Sequence, residues 1–122
     1  MGVHPRDSRV KKMTEVERAY LGAWIDADGS AMLRGRDARK DNAKGRIAIA
    51  QKDVEIVSTA LRLTQAGNIN LNKKSLDWSG VGLAGCDMWV WSLDSQRDIE
   101  DLMEQCYPYS EKLQRLRAVW YN

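Results

Sequence analysis

A chain of 122 residues, 43% of them hydrophobic, reads as one domain with a modest core rather than a multidomain assembly. Its formal net charge is only +2, with 19 Lys and Arg against 17 Asp and Glu, which excludes an indiscriminate polycation. Any nucleic-acid surface must therefore come from segregated charge. No apolar run is long enough to span a membrane, and the N-terminus is polar and basic (His4, Arg6, Arg9, Lys11, Lys12) rather than a signal peptide, so a soluble protein with no membrane partner is expected.

Residues 1–13 carry Gly2, Pro5 and scattered charge without periodicity and read as a flexible tail preceding a domain over 14–122. Thr14 followed by Glu17 is a capping box that opens a helix running to about Ala27 and stopped by Gly29. From Ala19 to Ala27 every side chain except Asp26 is apolar or absent, so the helix has no solvent face. In so short a chain, one side of it is free to pack on a second copy. Asp26 and Asp28 sit where the negative end of the helix dipole disfavours a carboxylate by roughly 0.3–1 kcal/mol. Something must offset them, and a bound cation is one candidate.

Beyond Ser30 the period changes to two. Met32, Arg34 and Arg36 alternate with Ala31, Leu33 and Gly35, and after a polar connection Arg46, Ala48 and Ala50 alternate with Ile47, Ile49 and Gln51, which predicts a hairpin with arginines on its open face. Asp53 can cap a helix carrying Val54, Val57 and Leu61 and ending near Gly67. In the third strand Ile69 and Leu71 alternate with Asn68, Asn70 and Asn72. Gly80, Gly82 and Gly85 satisfy G-x-G-x-x-G, but the apolar run Met88–Leu93 after them reads as a strand, whereas a dinucleotide fingerprint must open a helix. No nucleotide cofactor is therefore expected. Ser95 starts a helix with Ile99, Leu102, Met103 and Cys106 at helical spacing, Pro108 ends it, and Ser110 caps a last helix with Leu113, Leu116 and Trp120 on one face.

Charge is unevenly placed along this order. Arg34, Arg36, Arg39, Lys40, Lys44 and Arg46 crowd one region, and Asp94, Asp98, Glu100, Asp101 and Glu104 another. Cys86 and Cys106 lack metal-ligand spacing and read as reduced thiols in an intracellular, cytoplasmic protein.

The stretch Leu21-Gly22-Ala23-Trp24-Ile25-Asp26-Ala27-Asp28-Gly29 resembles the LAGLIDADG motif of the homing endonucleases. Leu21, Ile25, Asp26, Ala27, Asp28 and Gly29 match letter for letter, Gly22 and Ala23 invert the usual small pair, and Trp24 replaces a smaller apolar residue. The resemblance implies an α+β fold, αββαββα with a saddle-shaped antiparallel sheet and here an extra C-terminal helix. It implies a magnesium (or manganese) ion held by Asp28 and the carbonyl of Ala27, with Gln51 and Lys112 as further catalytic residues and Arg115 as a rival to Lys112. Asp26 matches the motif's other, mainly structural acid and is left out of the metal set, with a cap or an interface hydrogen bond at the helix end weighed evenly against a catalytic role.

Because the motif occurs once, the resemblance implies a homodimer joined through Leu21, Gly22, Ala23, Ile25 and Asp26, and a roughly palindromic duplex target. Base readout would fall to outward-facing residues: Ser30, Met32, Arg34 and Arg36; Lys44, Arg46 and Ala48; Asn68, Asn70, Asn72 and Lys74; Asp87, Trp89 and Trp91. Arginine suits guanine and asparagine suits adenine. A slip of one register in the last strand would instead put Trp89 or Trp91 in the core. The implied activity is site-specific cleavage of both DNA strands across the minor groove with short 3′ overhangs, in an element of intron or intein mobility. The alternative is a non-cleaving nucleic-acid-binding protein of the same fold, an intron RNA maturase or a DNA-binding regulator. Abundant alanine and absent phenylalanine favour a bacterial or phage source over an AT-rich organelle.

Overall fold

The computed structural model describes residues 8–34, 44–72 and 87–121; expectations attached to residues 1–7, Arg36, Lys74, Cys86 and the glycine run lie outside them, as do the side chains of Arg34 and Lys44. Helix α1 spans Glu15–Asp28, and its capping box forms as read: Thr14 Oγ1 accepts from the Glu17 N–H at 3.2 Å while Glu17 Oε1 accepts from the Thr14 N–H at 2.8 Å. The chain continues through β1 (Gly29–Arg34), β2 (Lys44–Gln51), α2 (Val54–Thr64), β3 (Asn68–Asn72), β4 (Met88–Leu93), α3 (Gln96–Cys106), one 3-10 turn (Tyr107–Tyr109) and α4 (Glu111–Trp120). The strands form an open antiparallel sheet in the order β1-β2-β4-β3. This is the α+β order αββαββα with a terminal helix that the local patterns predict.

The register assigns the two faces, because residues directly opposed across antiparallel strands point the same way. Ala31 opposes Ile47, Ile49 opposes Trp91, Ile69 opposes Trp91 from the other side, and Leu71 opposes Trp89. These residues face the helices. Ile47, Ile49, Trp91 and Leu93 are buried there with Leu21 and Ile25 of α1, Val57 and Ala60 of α2, Ile99, Leu102 and Met103 of α3, and Leu113, Leu116 and Trp120 of α4. The other face carries Ser30 and Met32 of β1, Arg46, Ala48 and Ala50 of β2, and the three asparagines of β3. Along β3 the burial alternates strictly, with the asparagines exposed.

The outward assignment of Trp89 and Trp91 is overturned by this register. Trp91 is fully buried and donates its Nε1–H to Ala66 O at 3.0 Å, while Trp89 is half-buried against the core. Met88, Val90 and Ser92 are the β4 residues on the outer face. Asp87 is exposed but precedes the strand. The physical reason is close approach at the α2–β3 junction. Gly67 has φ +95°, and a Cβ there would lie 2.7 Å from both Ser92 O and Trp91 Nε1, so the backbone bears directly on the indole.

Part of the expected tail is also docked. Val10 and Met13 are buried in the core, the Lys11 N–H donates to Thr64 O at 2.7 Å, and buried Asp98 accepts from Arg9 through its backbone N–H (2.8 Å), Nε (3.2 Å) and Nη2 (2.9 Å). Two apolar side chains and a buried carboxylate that needs a donor tie residues 8–13 to the body. Cys106 is buried in α3, and burial pushes its thiol up to about 12, which disfavours the reactive thiolate.

Candidate active site

The last turn of α1 delivers Asp26 and Asp28 to different surroundings. Gly29 ends the helix in an extended conformation, its N–H still donating to Ile25 O, so the chain passes directly into β1. Asp28 is exposed at this junction, and its Oδ2 accepts from Gln51 Nε2 at 2.7 Å. Gln51 closes β2, one strand over from β1, which is how residues 23 positions apart come into contact. Lys112, in the first turn of α4, donates from Nζ to Gly29 O at 2.8 Å, the carbonyl next to Asp28. Three residues singled out from sequence for one site thus stand at one end of α1. Arg115 lies a turn further along α4 and is exposed.

Asp26 turns the other way. Its Oδ1 accepts from Ser110 Oγ at 2.7 Å and from the Lys112 N–H at 3.1 Å, and its Oδ2 accepts from the Glu111 N–H at 2.9 Å. Placing Asp26 at an intermolecular interface is therefore corrected: it serves as the cap of the two readings, on its own chain's α4. Burial alone would raise its pKa, but these donors and the Lys112 charge outweigh that and hold the carboxyl below the ordinary aspartate value of 3.8. A lowered folded-state pKa contributes stability that is present above the unfolded value and lost as pH falls through the folded one. Asp26→Asn is accordingly expected to lower stability at neutral pH, with the gap to the parent closing below about pH 4. Urea unfolding at a series of pH values measures it.

Leu21, Gly22 and Ile25 also face inward. Leu21 and Ile25 are buried in the chain's own core, and Gly22 lies under Tyr109, where a Cβ would come within 2.9 Å of Tyr109 O. Their assignment to a dimer interface is corrected, because these residues are spent on the chain's own core; the exposed residues of α1 lie on the neighbouring face. There Val16 is 78% exposed and Tyr20 45%, Ala23 and Ala27 are exposed, and Tyr20, Ala23, Trp24 and Ala27 line a shallow apolar groove. Tyr20 and Trp24 meet edge to face at 6.4 Å between ring centroids. Trp24 thus takes its extra room on an open flank, and Asp28 follows Ala27 at the end of that flank. Helical spacing at 16, 20, 23, 24 and 27 was the available signal; a helix apolar all round hides which phase is which.

The donor set can be weighed against a divalent ion. A carboxylate and main-chain carbonyls are the hard oxygen ligands that Mg²⁺ takes, usually one or two carboxylates completed by water and phosphate oxygens. The carbonyl of Ala27 belongs to the last helical turn, where carbonyls have no intrahelical donor, and the dipole end favours a cation. Among the described residues no three His, Cys, Asp or Glu side chains gather into a metal cluster. The described residues therefore fit a share of such a site, which water and phosphate oxygens would complete.

The outer sheet face holds the remaining candidates. Ser30, Met32, Arg46, Asn68, Asn70 and Asn72 are exposed on it and Ala48 is half-buried, while Arg46 makes a 3.7 Å exposed ion pair with Asp94, a contact of little energetic weight.

No family model and no curated protein sequence matches the chain. Solved structures do. The homing endonuclease I-CvuI, in complex with its target in the presence of calcium, superposes with a TM-score of 0.57 at 14% identity, covering 86% of this chain and 66% of that one. The group I intron-encoded homing endonuclease I-CeuI, complexed with DNA, gives 0.59 at 12% over 88% and 55%, and the LAGLIDADG homing endonuclease I-SmaMI, bound to cleaved DNA, gives 0.53 at 20% over 87% and 34%. The chain spans less than two thirds of the length of each. It has the homing-endonuclease fold. The variety is the LAGLIDADG fold, and residues 21–29 carry one copy of the motif.

Proposed function

We propose that this protein is a site-specific double-strand DNA endonuclease that acts as a homodimer with magnesium or manganese on a long, roughly palindromic duplex, leaving short 3′ overhangs. One observation carries the reading: exposed Asp28 at the negative end of α1, with the Gln51 amide on its carboxylate and the Lys112 ammonium on the adjacent carbonyl. When bound, the divalent ion neutralises charge at the scissile phosphate and acidifies water. Asp28 and the Ala27 carbonyl would hold it. Gln51 Nε2 fixes the Asp28 carboxylate and is placed to orient water, and Lys112 brings a positive charge to the side of Asp28 where the phosphate gathers negative charge.

The exposed flank of α1 supports the dimer, since burying Val16, Tyr20, Ala23, Trp24 and Ala27 against a second copy brings two Asp28 residues together, one for each strand. The outer sheet face, with Arg46 and the β3 asparagines, supplies base and phosphate contacts of the kind a two-stranded ribbon makes in the major groove. Ala23→Asp places a charge in that flank and is expected to convert dimer to monomer in sedimentation while the fold, judged by circular dichroism, is kept, because desolvating an unpaired carboxylate costs several kcal/mol.

The reading is tested by incubating the protein with Mg²⁺ and a library of random duplexes and sequencing the ends produced. A single enriched, roughly palindromic site cut on both strands is expected. Absence of cutting together with specific binding to folded intron RNA would move the assignment to a maturase.

A further inference from the structure

Asp26 and Lys112 lie on different helices, yet one carboxylate holds the segment that carries the lysine. The groups it accepts from, the Ser110 hydroxyl and the N–H groups of Glu111 and Lys112, form the start of α4, where backbone donors have no intrahelical acceptor. Ser110 Oγ in turn accepts from the Leu113 N–H at 3.1 Å, so the capping extends one residue further. A carboxylate opposed by the dipole of α1 is favoured by the dipole of α4, and it joins the two ends. From that fixed turn Lys112 Nζ reaches Gly29 O.

A second seat holds the same region without Asp26. Gly22 packs under Tyr109, and Tyr109 Oη donates to Glu15 Oε2 at 2.9 Å, while Leu113, Leu116 and Trp120 anchor α4 in the core. Removing the Asp26 carboxylate therefore frees the first turn of α4 and leaves the helix in place.

We propose that Asp26 is a positioning residue for Lys112: by fixing the first turn of α4 it sets where the Lys112 ammonium stands beside Asp28. The inference rests on the endonuclease reading of that site. It predicts that Asp26→Ala slows single-turnover cleavage about 10- to 100-fold, the scale of a misplaced active-site group, while affinity for the target duplex is unchanged. In a Lys112→Met background the same substitution should cost less than about twofold, because a residue acting only through Lys112 has nothing left to place. Full, additive losses in the double variant would overturn the proposal.

A reactivity measurement decides the point without cleavage. Under limiting acetic anhydride, acetylation of Lys112 relative to exposed Lys52, read by mass spectrometry, should rise severalfold in Asp26→Ala and in Ser110→Ala, the latter covering the case in which the former folds poorly. An unchanged ratio in folded protein would overturn the proposal. If the parent protein cuts no duplex, the endonuclease reading falls, and the acetylation ratio still reports whether Asp26 holds Lys112.

Discussion

Asp28→Asn is expected to abolish DNA cleavage while leaving the protein as stable as its parent or slightly more so. The substitution is isosteric, and the Asn oxygen can still accept from Gln51 Nε2, so the end of α1 keeps its shape. What disappears is the negative charge, which in the proposed mechanism would be the strongest protein ligand for a divalent cation. Metal stabilisation of transition-state charge is worth several kcal/mol, which is about a thousandfold or more in rate. The stability change has the opposite sign. An exposed carboxylate at a helix C-terminus is unfavourable by roughly 0.3–1 kcal/mol, and Asn relieves it. DNA binding without metal should hold or tighten, since one like-charge repulsion with the phosphates is gone. Cleavage of the selected duplex, its dissociation constant and urea unfolding together test this. Retention of cleavage to within about tenfold of the parent would remove Asp28 from the active site.

How far the sequence reveals this arrangement depends on how local each signal is. The capping box at Thr14 and Glu17, the cap at Asp53, the alternation through β3 and the apolar spacing of α3 and α4 are short-range patterns, and each element stands where they put it. The sidedness of α1 is not local. With residues 19–27 almost wholly apolar, no phase is marked, and it is Tyr109 pressing on Gly22 and the sheet under Leu21 and Ile25 that choose the inner face. Asp26 illustrates the same limit. Its partner Ser110 is 84 positions away, legible as the cap of its own helix but not as a ligand of the motif acid. Gln51 and Lys112 carry no local signal beyond the resemblance, and it is the pairing of β1 with β2 and the packing of α4 that bring them to the end of α1. Residues 8–13 lacked any period, since Val10 and Met13 alone mark the segment's contact with the core.

Trp91→Ala should be the most destabilising single change on the sheet and should act through folding rather than through DNA readout. The strand Met88-Trp89-Val90-Trp91 is apolar at every position, so alternation cannot say which tryptophan faces in; its neighbours decide. Ile49 and Ile69 flank Trp91 on the helix face, Gly67 closes on its Nε1, and Ala66 O accepts its N–H. Truncation removes that bond and leaves a cavity in a close-packed interior, at a cost of about 3–5 kcal/mol. Against a total of about 5–15 kcal/mol this is a large fraction. It corresponds to a fall of about 10–20 °C in Tm for a domain of this size. Trp91→Phe keeps most of the packing and loses the hydrogen bond, so its cost should stay near 1–2 kcal/mol by the order-of-magnitude value of one buried hydrogen bond and a partial cavity. If Trp91 instead read bases, both variants would keep the parent Tm and change the preferred target. Thermal unfolding beside target selection separates the two, because a residue buried between Ile49 and Ile69 can alter specificity only after the sheet itself has moved.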